Sequence, residues 1–531
     1  MDAGRQRDPR GWGYLGDGPT AAEQDRLRGL LGARFPGADL TAVPPRAIPV
    51  FAPSRIAAPP GLTAIVRTDQ ETRLLHAVGR STTDLLALRD ADLPWPPDAV
   101  ACPRTEEEVE AVLAWCADAG AACIPFGGGT SVVGGLEARD IEDPVVVLQT
   151  RAMAEVLDVD RTSRAVHVQA GIEGPALEAA LAPEGLTFRF FPQSFALSTV
   201  GGWIATRAAG HDATGPTHID DLVQAVSAVT PIGRWASRRL PASGAGPSPD
   251  RLLLGSEGAL GVITSAWLRV RPRVQQRAAR AVHFRDLPSA AAAVRGIVQA
   301  GLRPAGCRVL DPLEAALNVA GDGSAAVLLL AFESSGLPVE GALASALELA
   351  RDAGGDPQPA EGHHRDPGAA WRSSFLRAPH LRDSLLGMGV LTETFETAIT
   401  WDRLDALVQD VTAAVTAAVT EVCGDGIVTC RLTHAYPDGA APYFTVIAPG
   451  RRGEERAQWA HVKAAASEAL LAAGGTITHH HAVGRDHREW AALQRPAPFS
   501  AALAAAKATL DPNAICNPGA LLGPTTGAVA R

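Results

Sequence analysis

Pro125-Phe126-Gly127-Gly128-Gly129-Thr130-Ser131, continuing through Val132-Val133 to Gly134-Gly135, is the stretch on which the reading of this chain turns. Five of its eleven residues are glycine, too many for a core element. Three in a row admit φ > 0 and leave backbone N–H groups uncovered. Successive bare N–H groups make a concave anion site, to which Thr130 and Ser131 add hydroxyl donors. The run follows the apolar, strand-like Ala122-Cys123-Ile124, and before that comes a helical segment from Thr105 to Asp118. Thr105-Glu106-Glu107-Glu108 caps that helix and puts acids in its first turn. A glycine loop leaving a strand suits a phosphate. It is no Walker loop, because Gly-Lys-Ser/Thr is missing, and it opens no long helix as G-x-G-x-x-G does. On this stretch alone a plain turn explains the glycines equally well.

The flanks add strands. Ala99 to Pro103 precedes the helix, Val145 to Leu148 and Arg164 to Gln169 follow the loop, and Gly171-Ile172-Glu173-Gly174 turns into a helix from Pro175 to Leu181. Such crowding of β-α-β units predicts an α+β fold. A second glycine-rich wall runs from Gln193-Ser194-Phe195-Ala196-Leu197-Ser198-Thr199 through Gly201-Gly202-Trp203 to Thr206-Arg207-Ala208-Ala209. A third turn, Leu254-Gly255-Ser256-Glu257-Gly258-Ala259-Leu260-Gly261-Val262-Ile263, enters another strand.

The chain has 531 residues, room for several domains. A net charge of −10 argues against a nucleic-acid partner. No apolar run is read as reaching the ~18 residues a bilayer requires, and the first residues lack a signal peptide's apolar core. Seven scattered cysteines with no C-x-x-C read as reduced thiols, hence a cytoplasmic protein. Two lysines among many arginines suggest the codon bias of a GC-rich bacterial genome. The expected segments are an irregular, partly helical region at 1–94, the glycine-loop domain at 95–274, an Ala-rich α+β region at 275–490 and a helical tail at 491–531.

In order and spacing, PFGGGTSVVGGL, STVGGWIATRA and GSEGALGVIT resemble the FAD-binding domain of the vanillyl-alcohol oxidase / p-cresol methylhydroxylase superfamily. The resemblance implies two α+β subdomains around FAD and a cap domain over its ring. It implies that Pro125, Phe126, Gly127, Gly128, Gly129, Thr130 and Ser131 hold the pyrophosphate. Residues 193–199, 206–209 and 257–263 would line the rest of the cofactor. Members that tether FAD use a histidine in the first loop; Pro125 to Gly135 contains none, so non-covalent FAD is expected.

Further on, Ile427 to His434 and Tyr443 to Ala448 read as paired strands joined through Pro437-Asp438-Gly439. Arg308 sits between apolar neighbours, either paired with Asp311 or aimed at an anion. Thr478-His479-His480-His481-Ala482-Val483-Gly484 places three histidines side by side. Neighbours in sequence cannot share one face of a strand or helix, which speaks against a three-ligand metal site, and no metal is expected. Imidazoles there suit proton transfer near neutral pH.

GWGY, CRVLD, LRDSLL, ETFETAITWDRL, APYFTV and THHHAVG, in this order, resemble the alkyl-dihydroxyacetonephosphate synthases. That family works without net redox: dihydroxyacetone phosphate is carried on flavin N5, a fatty acid leaves, and a long-chain alcohol replaces it. By this resemblance Tyr443 is the active-site tyrosine, and His479, His480 and His481 are the histidine triplet, with His480 as base. Arg382 would bind an anionic, lipid-like substrate, and Arg308 would be needed for activity. A homodimer and peripheral membrane contact are compatible with it. Three positions depart from the family pattern: Phe190 for a histidine, Ala259 for a threonine and Pro216-Thr217 for Tyr-Gly, all expected beside the flavin. The alternative is a redox member of the superfamily that oxidises a 2-hydroxy acid or related alcohol.

Overall fold

The computed structural model describes residues 5–93, 95–317, 321–359 and 367–523, apart from the side chains of 367–373. The first four residues, on which the expectation about a signal peptide partly rests, lie outside the described residues. The glycine loop leaves a four-stranded sheet ordered 66–67, 99–101, 145–149, 122–126. Strands Ala99–Ala101 and Ala122–Phe126 both run parallel to Val145–Gln149 between them. The helix Glu106–Ala119 crosses over, capped by the Thr105 hydroxyl on the Glu108 N–H and stopped at Gly120 in the left-handed region. Val109, Val112, Leu113 and Cys116 recur at helical spacing and are buried against the sheet.

A second sheet is antiparallel, ordered 156–160, 165–169, 262–269, 223–230, 233–236. Trp203, Phe188 and Phe190 fill its core. The cap carries a larger antiparallel sheet, whose order is 356–357, 276–284, 326–334, 306–310, 427–435, 439–449, 390–396. The predicted hairpin lies toward one edge of it: Ile427–Ala435 pairs with Gly439–Pro449.

One expectation is corrected here. The helical stretch Trp401–Cys423 is long and apolar enough to cross a membrane by length and composition. Its apolar residues nevertheless recur at Leu407, Val411, Val415 and Val419, and that stripe packs on Phe395, Phe444 and Val446 of the cap sheet. One face of the helix thus lies against the cap sheet.

The two chain ends close over the glycine loop. Arg7 donates to the Gly128 carbonyl at 2.8 Å. In the C-terminal segment Asn517 Nδ2 donates to the carbonyls of Gly135 and Glu257, at 3.1 and 2.7 Å, and so ties the first glycine loop to the third.

Candidate active site

The first and second glycine stretches meet at van der Waals contact. A Cβ on Gly127 would lie 2.3 Å from Thr199 Oγ1, and one on Gly128 only 1.9 Å from the Leu197 carbonyl oxygen. Of the three adjacent glycines only Gly129 has positive φ, +71°. Close approach therefore demands glycine at 127 and 128, and backbone conformation demands it at 129. Thr199 also caps the helix Val200–Thr206, accepting from the Gly202 N–H.

The cavity beside this contact is lined by all seven residues from Pro125 to Ser131, by Gln193, Ser194, Ser198, Thr199, Thr206, Ala208 and Ala209, and by Glu257, Gly258, Gly261, Val262 and Ile263. Ala196 is exposed, Phe195 is half-buried, and Leu197, Ala259 and Leu260 are buried behind the wall. Arg207 turns away to Asp220, at 2.8 Å. A run of backbone without side chains beside the hydroxyls of Thr130, Ser131 and Thr199 fits the pyrophosphate of FAD.

The same cavity reaches the cap, where Arg308, Arg431, Thr433, His434, Tyr443, His480 and His481 line it. Arg431, Thr433 and His434 were not anticipated. A strand should alternate its faces, but a register shift between Leu432 and His434 lets Thr433 and His434 both reach the cavity. Arg431 lies over the Tyr443 ring, 3.8 Å from its centroid, and pairs with buried Glu314. Burial raises the Tyr443 phenol above its ordinary value, while Arg431 opposes the shift; the phenol is a proton donor at neutral pH. Arg308, also buried, donates to the His211 carbonyl.

Arg382 does not line the cavity. It lies beside Asp383, at 3.9 Å, and Asp383 holds the backbone N–H of Trp12, which is itself a wall residue. The three departures from the family pattern are also off the wall. Phe190 is 1% exposed and packs on Trp203, Ala259 is 1% exposed, and Pro216 is exposed.

The histidine loop belongs to no helix or strand. Two buried carboxylates hold it. Glu396, 2% exposed, accepts from the backbone N–H groups of His479, His480 and His481 at 2.6, 3.0 and 2.9 Å, and from the Thr478 hydroxyl at 2.6 Å. Glu257 accepts from the N–H groups of Val483 and Gly484, at 2.9 and 2.7 Å. Burial disfavours ionised Glu396, but the adjacent histidines and Thr478 outweigh it and hold the carboxyl well below the usual range. Burial lowers all three imidazoles, His479 to about 4. The four donors to Glu396 favour its ionised form.

Ring nitrogens of His434, His479 and His480 lie within 4.8 Å of one another, but hydrogen bonds engage nearly all of them. His434 bonds Thr433 and the Gly210 carbonyl. His479 Nδ1 bonds His480 Nδ1 at 2.9 Å, and His479 Nε2 bonds the Tyr436 hydroxyl at 2.6 Å. His480 Nε2 makes no hydrogen bond among the described residues; with the shared hydrogen of the His479–His480 contact on His480 Nδ1, Nε2 is the ring atom left to act as a base.

Comparison with known proteins agrees with this architecture. Residues 97–237 match the FAD binding domain, and residues 273–521 match the C-terminal domain of FAD linked oxidases. Alkyldihydroxyacetonephosphate synthase of Caenorhabditis elegans is 30% identical over 468 residues, 83% of this chain and 78% of that protein. The Dictyostelium discoideum enzyme of the same name is 29% identical over 487 residues, 86% of this chain and 78% of that protein. A solved alkyldihydroxyacetonephosphate synthase structure superposes with a TM-score of 0.78 at 25% identity, over 96% of this chain and 98% of that one. The glycine cradle, the cap that closes over it and the histidine loop between them are thus the parts of an FAD-binding enzyme, and the chain belongs to the alkyldihydroxyacetonephosphate synthase family.

Proposed function

We propose that the protein replaces the acyl group of acyl-dihydroxyacetone phosphate with a long-chain alcohol, giving an ether lipid precursor and a free fatty acid. The observation that carries this reading is the convergence of a bare base, a protonated phenol and two arginines in the cavity that holds the glycine cradle. FAD, held by residues of the three glycine stretches, supplies an electrophilic ring that activates the substrate carbon without net redox.

The chain's own residues do the rest. Arg308 and Arg431 bind the phosphate, since a guanidinium grips phosphate in two-pronged fashion; they replace Arg382 in that role. His480 Nε2 takes the proton from the substrate carbon next to the ester. Tyr443, kept protonated by burial, donates to the departing carboxylate. Glu396 and Glu257 hold the loop so that the base does not swing away. All seven cysteines are free, which supports a reducing compartment, and we place the protein in the cytoplasm.

The test is anaerobic turnover. Mixed with palmitoyl-dihydroxyacetone phosphate and hexadecanol, the enzyme should form ether product without consuming oxygen, and its flavin absorbance should recover without an added oxidant. Lasting bleaching by a 2-hydroxy acid, with no ether product, would instead identify a dehydrogenase.

A further inference from the structure

The histidine loop has two sides. His480 lines the reaction cavity, and it also lines a second cleft together with His479 and Tyr436. Solvent reaches that cleft, whose rim includes Arg251 and Phe499, both more than half exposed. Between the two spaces runs an unbroken line of short contacts. His480 Nδ1 meets His479 Nδ1 at 2.9 Å, and His479 Nε2 meets the Tyr436 hydroxyl at 2.6 Å.

A hydrogen bond between two Nδ1 atoms requires one ring to carry the hydrogen and the other to present a lone pair. If His480 carries Nδ1–H, its Nε2 is bare on the cavity side. His479 must then carry its own hydrogen on Nε2, pointing at Tyr436. The arrangement is polarised from end to end. The chain also has a use: buried imidazoles are poor places to store a proton, so a base in this position works repeatedly only if its proton can leave.

We propose that Tyr436, His479 and His480 form a proton relay joining the reaction cavity to the second cleft. His480 Nε2 accepts the substrate proton while His480 Nδ1–H passes to His479 Nδ1. His479 Nε2–H passes to the Tyr436 oxygen, and the original Tyr436 hydroxyl proton goes to water in the cleft. One proton enters and one leaves, and both imidazoles end neutral with their tautomers exchanged. Transit in the opposite direction returns a proton to the substrate carbon and resets the chain. Tyr436 touches no reacting atom. The half-buried phenol, pushed up to about 12 by burial, conducts by exchanging protons and need not ionise. His218 holds the line from the side, through Nε2 on the His479 carbonyl at 3.1 Å.

The proposal rests on His480 being the base, and the experiment separates the two. Tyr436→Phe removes the hydroxyl and keeps the ring. Turnover of palmitoyl-dihydroxyacetone phosphate with hexadecanol should fall about 10- to 100-fold, with FAD content and KM unchanged. Imidazole buffer, small enough to enter the cleft, should restore much of the loss. In the FAD-loaded, substrate-free protein, ¹⁵N imidazole spectra should show His479 with its proton on Nε2 and His480 with its proton on Nδ1. Tyr436→Phe should shift the His479 Nε2–H signal and leave His480's nearly in place. Native turnover in Tyr436→Phe, or a loss that imidazole cannot repair, would overturn the relay while a slow His480→Ala kept the base assignment. Native turnover in His480→Ala would overturn both.

Discussion

The strongest claim on the site is that Glu396 is what gives the histidine loop its shape, and Glu396→Ala tests it. Among the described residues this carboxylate has four donors, three of them backbone N–H groups of consecutive histidines. A hydrogen bond to a charged group contributes about 1.5–3 kcal/mol, and a buried donor left without a partner costs about 1–3 kcal/mol. Full loss at three N–H groups would cost about 3–9 kcal/mol. That is comparable to the whole stability of a domain, so the loop should relax and take up water instead. The expected outcome is a fold that survives, with global stability lower by about 2–4 kcal/mol and the histidines displaced. Displacement of a catalytic group by about 1 Å costs on the order of 10²-fold in rate, so turnover should fall by that factor or more. Flavin content should change little, because no Glu396 atom belongs to the cradle wall. Three measurements decide the matter: ether product formed per unit time, flavin absorbance per chain, and hydrogen exchange at the amides of residues 479–481. Those amides should exchange at least ten times faster in Glu396→Ala, while amides of the cap strands stay protected. Native exchange at 479–481, or native turnover, would refute the clamp. Glu396→Gln, with one acceptor oxygen and one NH₂ facing the same donors, should fall between parent and alanine variant.

Two further outcomes follow from the geometry. Gly128→Ala would drive a methyl group into the Leu197 backbone, 1.9 Å from its oxygen and 2.7 Å from its carbon; neither atom belongs to a flexible side chain, so the first two glycine stretches must separate and purified protein should carry less than about a tenth of the native flavin, a loss of the size overpacking gives. Burial pushes Glu137 up to about 8 and Asp486 up to about 7. Both bind protons more tightly folded than unfolded, so the stability they provide is full below about pH 4 and declines as pH climbs through those values. Buried histidines such as His479 titrate with the opposite sign, so the test is the difference between two proteins: the melting temperature of Asp486→Asn relative to the parent should rise between about pH 5 and pH 8, and a difference that stays constant over that range would contradict it.

The parts of this protein that were legible in its sequence are those where one residue type is physically forced. Gly127 and Gly128 must be glycine because the Thr199 side chain and the Leu197 backbone lie where their side chains would go. The strands around them are apolar runs because both faces of that sheet are covered. The hairpin at 427–449 announced its turn through Pro437-Asp438-Gly439. Less legible were positions where sequence gives a residue but not its direction. Arg382 is an arginine on a helix, and nothing local says whether it faces a cavity or Asp383. Arg431 and His434 lie in a strand whose alternation a bulge interrupts, so counting by twos misplaces one of them. Phe190 looked like a change beside the flavin and is a core residue packed at a tilt against Trp203.

The histidine loop shows why the remainder stayed hidden. A strand would send adjacent histidines to opposite faces, and a helix would spread them by about 100° each. Only irregular backbone can present His480 and His481 to one cavity, with His479 passing behind them. Irregular backbone gives up its ladder partners, and buried N–H groups must then find acceptors elsewhere. The acceptors come from Glu396, 83 to 85 residues before the histidines they hold, and from Glu257, more than 220 residues before Val483 and Gly484. In the sequence these are ordinary glutamates, one in a strand and one in a turn. The feature that allows a base, its relay and a phenol to converge is therefore the same one that makes their supports remote along the chain, and a reading confined to local pattern finds the histidines without finding what holds them.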